Sequence, residues 1–333
     1  MIKRLDSPPY EIDQKVLRQF DQRQTIFGRM LLDETAPFYQ KGMYENVKEI
    51  IAQNRDGYSR IEFAQTLASW TIYDYFHGAF SWEKLDNAKS VMPKPVLEKH
   101  PVTDLSNMSK QIKETAKLFG ASLVGISLFD KHWIYSYDLD GNPIEVPHEY
   151  KYAIVIAIAM DATAIKTSPA YTACTASGIG YSRMAFCVAC LAEFIRNLGY
   201  RAIPVGNDIA LSIPLAIDAA LGELGRNGLL ITPEFGPCVR LCKVFTDLPL
   251  EPDKPIEFGV RDYCKECSKC VEACEVDAIQ SEKEPSFTIM CPSNNSGILR
   301  WAVNHDKCYG FWIENGGECS NCIAVCPFVP RSK

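Results

Sequence analysis

Two runs of cysteine near the C-terminus constrain this chain more than any other feature. Cys264, Cys267, Cys270 and Cys274 are spaced C-x2-C-x2-C-x3-C; Cys308, Cys319, Cys322 and Cys326 are spaced C-x10-C-x2-C-x3-C-P. Eight thiolates at these spacings suffice for two 4Fe–4S clusters of four ligands each. The short x2 steps bring consecutive sulfurs to corners of one cube, and the x3 step carries the fourth cysteine to the neighbouring cube. One cluster is thus expected on Cys264, Cys267, Cys270 and Cys326, the other on Cys274, Cys308, Cys319 and Cys322. Structural zinc and disulfides are the competing readings, and the spacing outweighs both. Glu275 stands where the motif usually has proline, while Pro327 is in place. Two adjacent cubes move electrons, so the question is where the electrons go.

Composition narrows the answer. At 333 residues the chain is long for one domain and short for three. Its formal net charge of −6, with no basic run, argues against nucleic acid as a partner. The longest apolar stretch, Ala153–Met160, is far short of a bilayer span and reads as a buried strand. The opening MIKRLDSPPY is neither a signal peptide nor a twin-arginine leader, which leaves a cytoplasmic protein or one whose leader is removed. The scattered Cys174, Cys187, Cys190, Cys238, Cys242 and Cys291 read as small buried apolar residues.

The pattern divides the chain into three. Residues 1–104 are mixed and aromatic-rich, with helices expected around Tyr44–Gln53 and Arg60–Phe76 and a polar connector over residues 90–104. Residues 105–258 alternate helix and strand: helices over Met108–Phe119, Met184–Leu198 and Pro214–Leu224, strands over Ser122–Phe129, Tyr152–Met160, Ala202–Val205 and Gly228–Thr232. Pro249, Pro252 and Pro255 precede the cysteine-rich residues 259–333. There is no Walker loop and no G-x-G-x-x-G; GELGRNG (222–228) has the wrong spacing and reads as a turn.

Polar residues inside apolar stretches mark where chemistry sits. GNDIALSIPLAID (206–218) sets Asn207, Asp208 and Ser212 among apolar neighbours, and YTACTASGIGY (171–181) is a run of small residues ending in Tyr181. Small residues admit a large flat ligand; a tight loop beside a helix is the plainer reading. Arg240, in GPCVRLCK, is either functional or a salt-bridged surface residue.

NDIALSIP (207–214), GPCVRLCKVFTDLP (236–249) and the two cysteine runs occur in the order found in the corrinoid- and iron–sulfur-dependent reductive dehalogenases, which the chain resembles. KRLDSPPYEIDQKVLRQFDQRQTIFGR (3–29) resembles the start of the mature enzymes. The resemblance implies an α+β fold, in which a nitroreductase-like α/β sandwich binds cobalamin and a bacterial-ferredoxin-like domain carries the clusters. It implies a base-off corrinoid, because the chain has no D-x-H-x-x-G motif. Tyr181 matches the proton donor, Arg240 the basic residue beside it and Asn207 an active-site asparagine. Trp312 matches an aromatic of the substrate pocket, with Phe38 or Tyr39 as a further wall. Ser177, Gly178, Gly206, Ser212 and Gly236 are the expected corrinoid contacts. Implied partners are a small organohalide, an electron-donor protein or quinol-linked chain, and a small membrane anchor at the outer face after twin-arginine export. An epoxyqueuosine reductase-like enzyme and a plain iron–sulfur electron carrier are the alternatives; cobalamin binding separates the carrier from the enzymes, and halide release separates the two enzymes.

Overall fold

The structure, a computed structural model, describes residues 2–76 and 98–330. The expected connector lies mostly outside them, as does His77. In chain order the elements are β1 (Lys3–Arg4), α1 (Ile26–Leu32), α2 (Val47–Ala52), α3 (Arg60–Ser69), α4 (Thr71–Phe76), α5 (Leu105–Leu118), β2 (Leu123–Leu128), β3 (Tyr152–Ala159), α6 (Ala162–Ile165) and α7 (Tyr171–Asn197). They continue with β4 (Ala202–Val205), α8 (Ser212–Asp218), β5 (Glu223–Leu224), β6 (Leu230–Ile231), β7 (Val239–Thr246), β8 (Ile256–Glu257), α9 (Val260–Glu266), α10 (Lys269–Glu272), α11 (His305–Asn315) and α12 (Asn321–Ala324).

The body is an antiparallel sheet in the order β2-β3-β7-β4 with helices on both faces. Strand β3 explains the layering. Its side chains alternate, so Ile154, Ile156 and Ile158 enter one core with Ile112 of α5 and Met184, Leu191 and Ile195 of α7. Ala153, Val155 and Ala157 enter the other with Trp133 and with Leu215 and Ile217 of α8. Burial on both faces is why β3 reads as one apolar run rather than as apolar–polar alternation. Strand β4 lies at the edge, where Pro204 costs no ladder hydrogen bond that a central strand would need.

Two expectations need correction. The small-residue run is helical, so α7 begins at Tyr171 and carries Tyr181 in its interior. Glycine inside a helix costs about 1 kcal/mol against alanine, and packing offsets it here. A Cβ on Gly178 would meet Ser69 Oγ at 2.0 Å and one on Gly180 would meet Arg240 Cγ at 2.9 Å. By length and composition α7 could cross a membrane, yet half of its apolar window is buried inside the fold. The helix expected over Pro214–Leu224 stops at Asp218, and the chain turns back as the β5–β6 hairpin across the GELGRNG turn. Gly222 permits this, since a Cβ there would lie 2.0 Å from the Ile231 carbonyl oxygen. Strand β7, the second central strand, was not foreseen.

The cysteine-rich region wraps short helices α9 to α12 around few strand contacts, such as the bridge Ile279↔Val303. The N-terminal segment ties it to the body. Lys3 pairs with Glu257 in β8, and Ile12 bridges to Ile298.

Candidate active site

Tyr181 is the centre of a polar cluster drawn from five segments. Asn207 Nδ2 donates to its hydroxyl at 2.6 Å. Arg240 reaches in from β7, opposite Ile158, and its guanidinium carbon lies 4.9 Å from the Tyr181 ring centre. Arg240 Nη2 donates to Ser177 Oγ at 2.5 Å and lies 3.8 Å from Glu318 Oε2. Trp70 stacks on Tyr181 with centroids 4.7 Å apart, and Tyr73 meets it edge-on at 5.0 Å. Burial raises the phenol above its ordinary value; Arg240 pulls it back down by favouring phenolate, Glu318 raises it, and the Asn207 hydrogen bond lowers it. The group therefore holds its proton at neutral pH and has a cation ready to steady the charge left when the proton goes. Burial likewise pushes the Glu318 carboxyl up, against Arg240.

The Asn207 loop is anchored by a side chain that sequence reading passed over. Lys243 of β7 is fully buried, and its ammonium donates to the Gly206 and Ala210 carbonyls at 2.6 and 3.0 Å and to Ser212 Oγ at 2.9 Å. Burial lowers its pKa to about 8 although the Asp208 charge opposes the shift. The clamp holds Ile209 at a φ of 64°, in the left-handed region. Gly206 and Ser212 are thus ligands of Lys243 here, and Gly178 adjoins Ser69 and Trp70. Gly236, at φ 55°, is pressed against Phe328, where a Cβ would lie 2.5 Å from backbone.

Phe38, Tyr39 and Trp312 pack apart from the Tyr181 ring. Phe38 is a core side chain, 2% exposed, edge-on to Tyr309 at 5.3 Å. Trp312 packs with Tyr309 and Phe27, and the Tyr39 hydroxyl accepts from Gln40. Among the described residues none of the three has a ring contact with Tyr181. Apolar packing with Tyr309 and Ile313 holds Phe38 and Trp312, whereas Trp70 and Tyr73 lie against Tyr181. Their signal was the aromatic density of WTIYDYF (70–76).

The first cysteine quartet is brought together. Cys264, Cys267, Cys270 and Cys326 line one pocket with Arg226, Asn227, Ile231, Tyr263, Pro327 and Phe328. In the second set the half-buried Cys322 lies within electrostatic reach of Cys308, Cys319 and Cys274, and also of Cys270 in the first. Burial pushes the Cys270 and Cys308 thiols up to about 12 and Cys326 to about 11. A thiolate is stable in such places only beside a cation, which is what iron supplies.

The family described as a 4Fe–4S dicluster domain matches residues 263–329, and that described as a reductive dehalogenase subunit matches residues 135–250. The tetrachloroethene reductive dehalogenase of Desulfitobacterium hafniense is 39% identical over 293 residues, covering 75% of this chain and 52% of the relative. That of Sulfurospirillum multivorans is 34% identical over 344 residues, covering 89% of this chain and 68% of the relative. The chain belongs to the reductive dehalogenase family. A solved reductive dehalogenase structure, described as suggesting a mechanism for B12-dependent dehalogenation, shares the fold. It superposes with a TM-score of 0.75 at 22% identity, over 99% of this chain and 44% of that one. The chain spans about half the length of the D. hafniense relative, and within this span lie both cysteine runs and Tyr181.

Proposed function

We propose that this reductive dehalogenase family member replaces a halogen, chlorine foremost, of a small organohalide by hydrogen. The observation that carries the proposal is the Tyr181–Asn207–Arg240 cluster set one residue step, at Glu318, from the cysteine ligand Cys319. The balance is one organohalide, two electrons and one proton in, and one hydrocarbon and one halide ion out. Tyr181 gives the proton from its hydroxyl. Arg240 favours the phenolate that remains and attracts the departing anion. Asn207 orients the hydroxyl. Trp70 and Tyr73 present aromatic walls to a substrate with little to hydrogen-bond.

Two kinds of cofactor complete the site. Cys264, Cys267, Cys270 and Cys326 would hold one 4Fe–4S cluster, and Cys274, Cys308, Cys319 and Cys322 the other. A corrinoid when bound would supply a reducing, nucleophilic cobalt centre. Its fit rests on three buried polar atoms around Tyr181 that lack hydrogen-bond partners: Trp70 Nε1, Arg240 Nε and Glu318 Oε2. A ligand edged with amides offers both donors and acceptors for them. B12 dependence of the fold relative supports the same choice. The base-off state is what the family resemblance implies for a chain with no D-x-H-x-x-G motif.

Residues 1–104 would pack on a corrinoid domain of residues 105–258, with the cluster domain over 259–333. The working place is the outer face of the cell membrane after twin-arginine export, beside a small anchor subunit, with the cytoplasm as the alternative. Electrons would come from a donor protein or a quinol-linked chain. Anaerobic reconstitution with cobalamin, iron and sulfide tests the cofactor assignment. The Co(II) form should show no nitrogen superhyperfine splitting in its electron paramagnetic resonance spectrum; clear imidazole splitting refutes it.

A further inference from the structure

The turn that closes the β5–β6 hairpin sets one buried cation against the first cysteine quartet. Arg226 is 3% exposed. Its Nε and Nη2 donate to the Cys264 carbonyl at 2.9 and 2.7 Å, and its Nη1 to the Gln280 and Glu282 carbonyls at 3.1 and 2.8 Å. The Trp301 ring centre lies 4.6 Å from its guanidinium carbon. Every partner is a neutral oxygen or a π face, and no carboxylate among the described residues pairs with it. The same side chain lines the pocket bounded by Cys264, Cys267, Cys270 and Cys326.

A staple between body and cysteine-rich region explains the four hydrogen bonds. It does not explain why the staple is a full charge without a counter-charge. Burying a cation is costly unless something negative answers it. A 4Fe–4S cluster held by the four thiolates would be that answer, its net charge becoming more negative by one on reduction. The surroundings of the two quartets differ in this respect. Arg226 acts on Cys264 and Cys270, with the buried Glu223 as a weaker opposing charge on Cys264. The second quartet has Glu275 acting on Cys319 and Glu318 next to it in sequence.

We propose that Arg226 sets the midpoint potential of the first cluster, its unpaired charge at the pocket wall stabilising the cluster after it accepts one electron. The step takes one electron from a one-electron reductant and makes or breaks no bond. The first cluster then fills before the second and holds one of the two electrons that dehalogenation consumes. This rests on the two-cluster reading above. Net charge near a cluster is an established lever on its potential, and a unit charge at close range in a buried site is worth several kcal/mol at most.

The test is a redox titration of the reconstituted full chain, followed by electron paramagnetic resonance, on the parent, Arg226→Gln and Arg226→Lys. Iron and sulfide are measured first on each protein. About eight iron per chain is required by the two-cluster reading, and fewer in the parent would sink that reading rather than this one. With eight iron present, Arg226→Gln should lower one of the two midpoints and leave the other. At the parent midpoint the ratio of reduced to oxidised first cluster should fall roughly tenfold, which is about 59 mV for one electron. Arg226→Lys keeps the charge without the fork and should leave the midpoint in place. An unmoved midpoint in Arg226→Gln overturns the proposal. If Arg226→Gln does not fold, Arg226→Lys decides alone: a fallen midpoint means that the hydrogen bonds, not the charge, set the potential.

Discussion

Tyr181 is either the acid or a packing residue of α7, and one substitution separates these roles. Tyr181→Phe keeps the ring stacked on Trp70 and removes only the hydroxyl. Loss of a general acid is typically worth about 10²–10⁴ in rate, so halide release should fall by that order with corrinoid and clusters still bound. Near-normal release from a fully loaded variant would move the acid elsewhere. Lys243 is the second residue to test. Lys243→Met leaves the Gly206 and Ala210 carbonyls buried without their donor, at about 1–3 kcal/mol for each unsatisfied group. The melting temperature should drop, and turnover should drop through Asn207. In an Asn207→Ala background the same change should slow turnover little further, because coupled residues are not additive. The pH dependence has a definite sign. Folding lowers the Lys243 pKa from 10.5 to about 8, so between those values the unfolded chain binds more protons and stability rises with pH. Lys243→Met should remove that rise relative to the parent. Asn207 and Arg240 stand out in the sequence as polar groups among apolar neighbours and Tyr181 as the end of a small-residue run, while their roles come from the family resemblance. Lys243 carries the same mark in VRLCKVFT, a segment that the sequence reading assigns to no strand. Trp70 and Tyr73 were indistinguishable from core aromatics until the fold set them beside Tyr181.

At the scale of elements, α7 shows how composition misleads. Two glycines with Ser and Thr in YTACTASGIGY are what a loop looks like locally, and propensity alone favours starting the helix at Met184. Packing overrides it: the bare backbone at Gly178 and Gly180 lets α3 and Arg240 approach. This makes a test. Gly180→Ala should help the helix intrinsically by about 1 kcal/mol, yet its Cβ would sit 2.9 Å from Arg240 Cγ. Circular dichroism should show an intact helix while turnover falls, because Arg240 must leave Ser177 and the Tyr181 ring. Unchanged turnover would mean that the placement of Arg240 is not critical. Strands β2 and β3 and the core of α5 were legible because their apolar periods are unbroken. The C-terminal end of the expected helix over 214–224 was not, because Glu223 and Leu224 pair with the nearby strand β6 instead of continuing the helix.

Across the whole molecule the cysteine spacing carried the most information, because ligand number and loop length are set by the cluster rather than by the surrounding fold. The crossing of the two motifs is testable through Cys274→Ser. Although Cys274 belongs to the first run, its loss should damage the cluster on Cys308, Cys319 and Cys322 and spare the one in the pocket of Cys264, Cys267, Cys270 and Cys326. Iron content with the two resonance signals followed separately would show which cluster is lost. The aromatic cluster around Tyr181 was less legible, since it joins Trp70 and Tyr73 to Tyr181 across more than a hundred residues of chain. The most direct measurement of the central claim is anaerobic halide release. The chain, loaded with cobalamin and both clusters, is given a reductant and a panel of chloroethenes, chloroalkanes and chlorophenols, with chloride and consumed electrons counted together. Two electrons should disappear for each chloride released, with hydrogen in place of the halogen in the product. A fully loaded chain that oxidises the reductant without releasing halide from any member of the panel would contradict it.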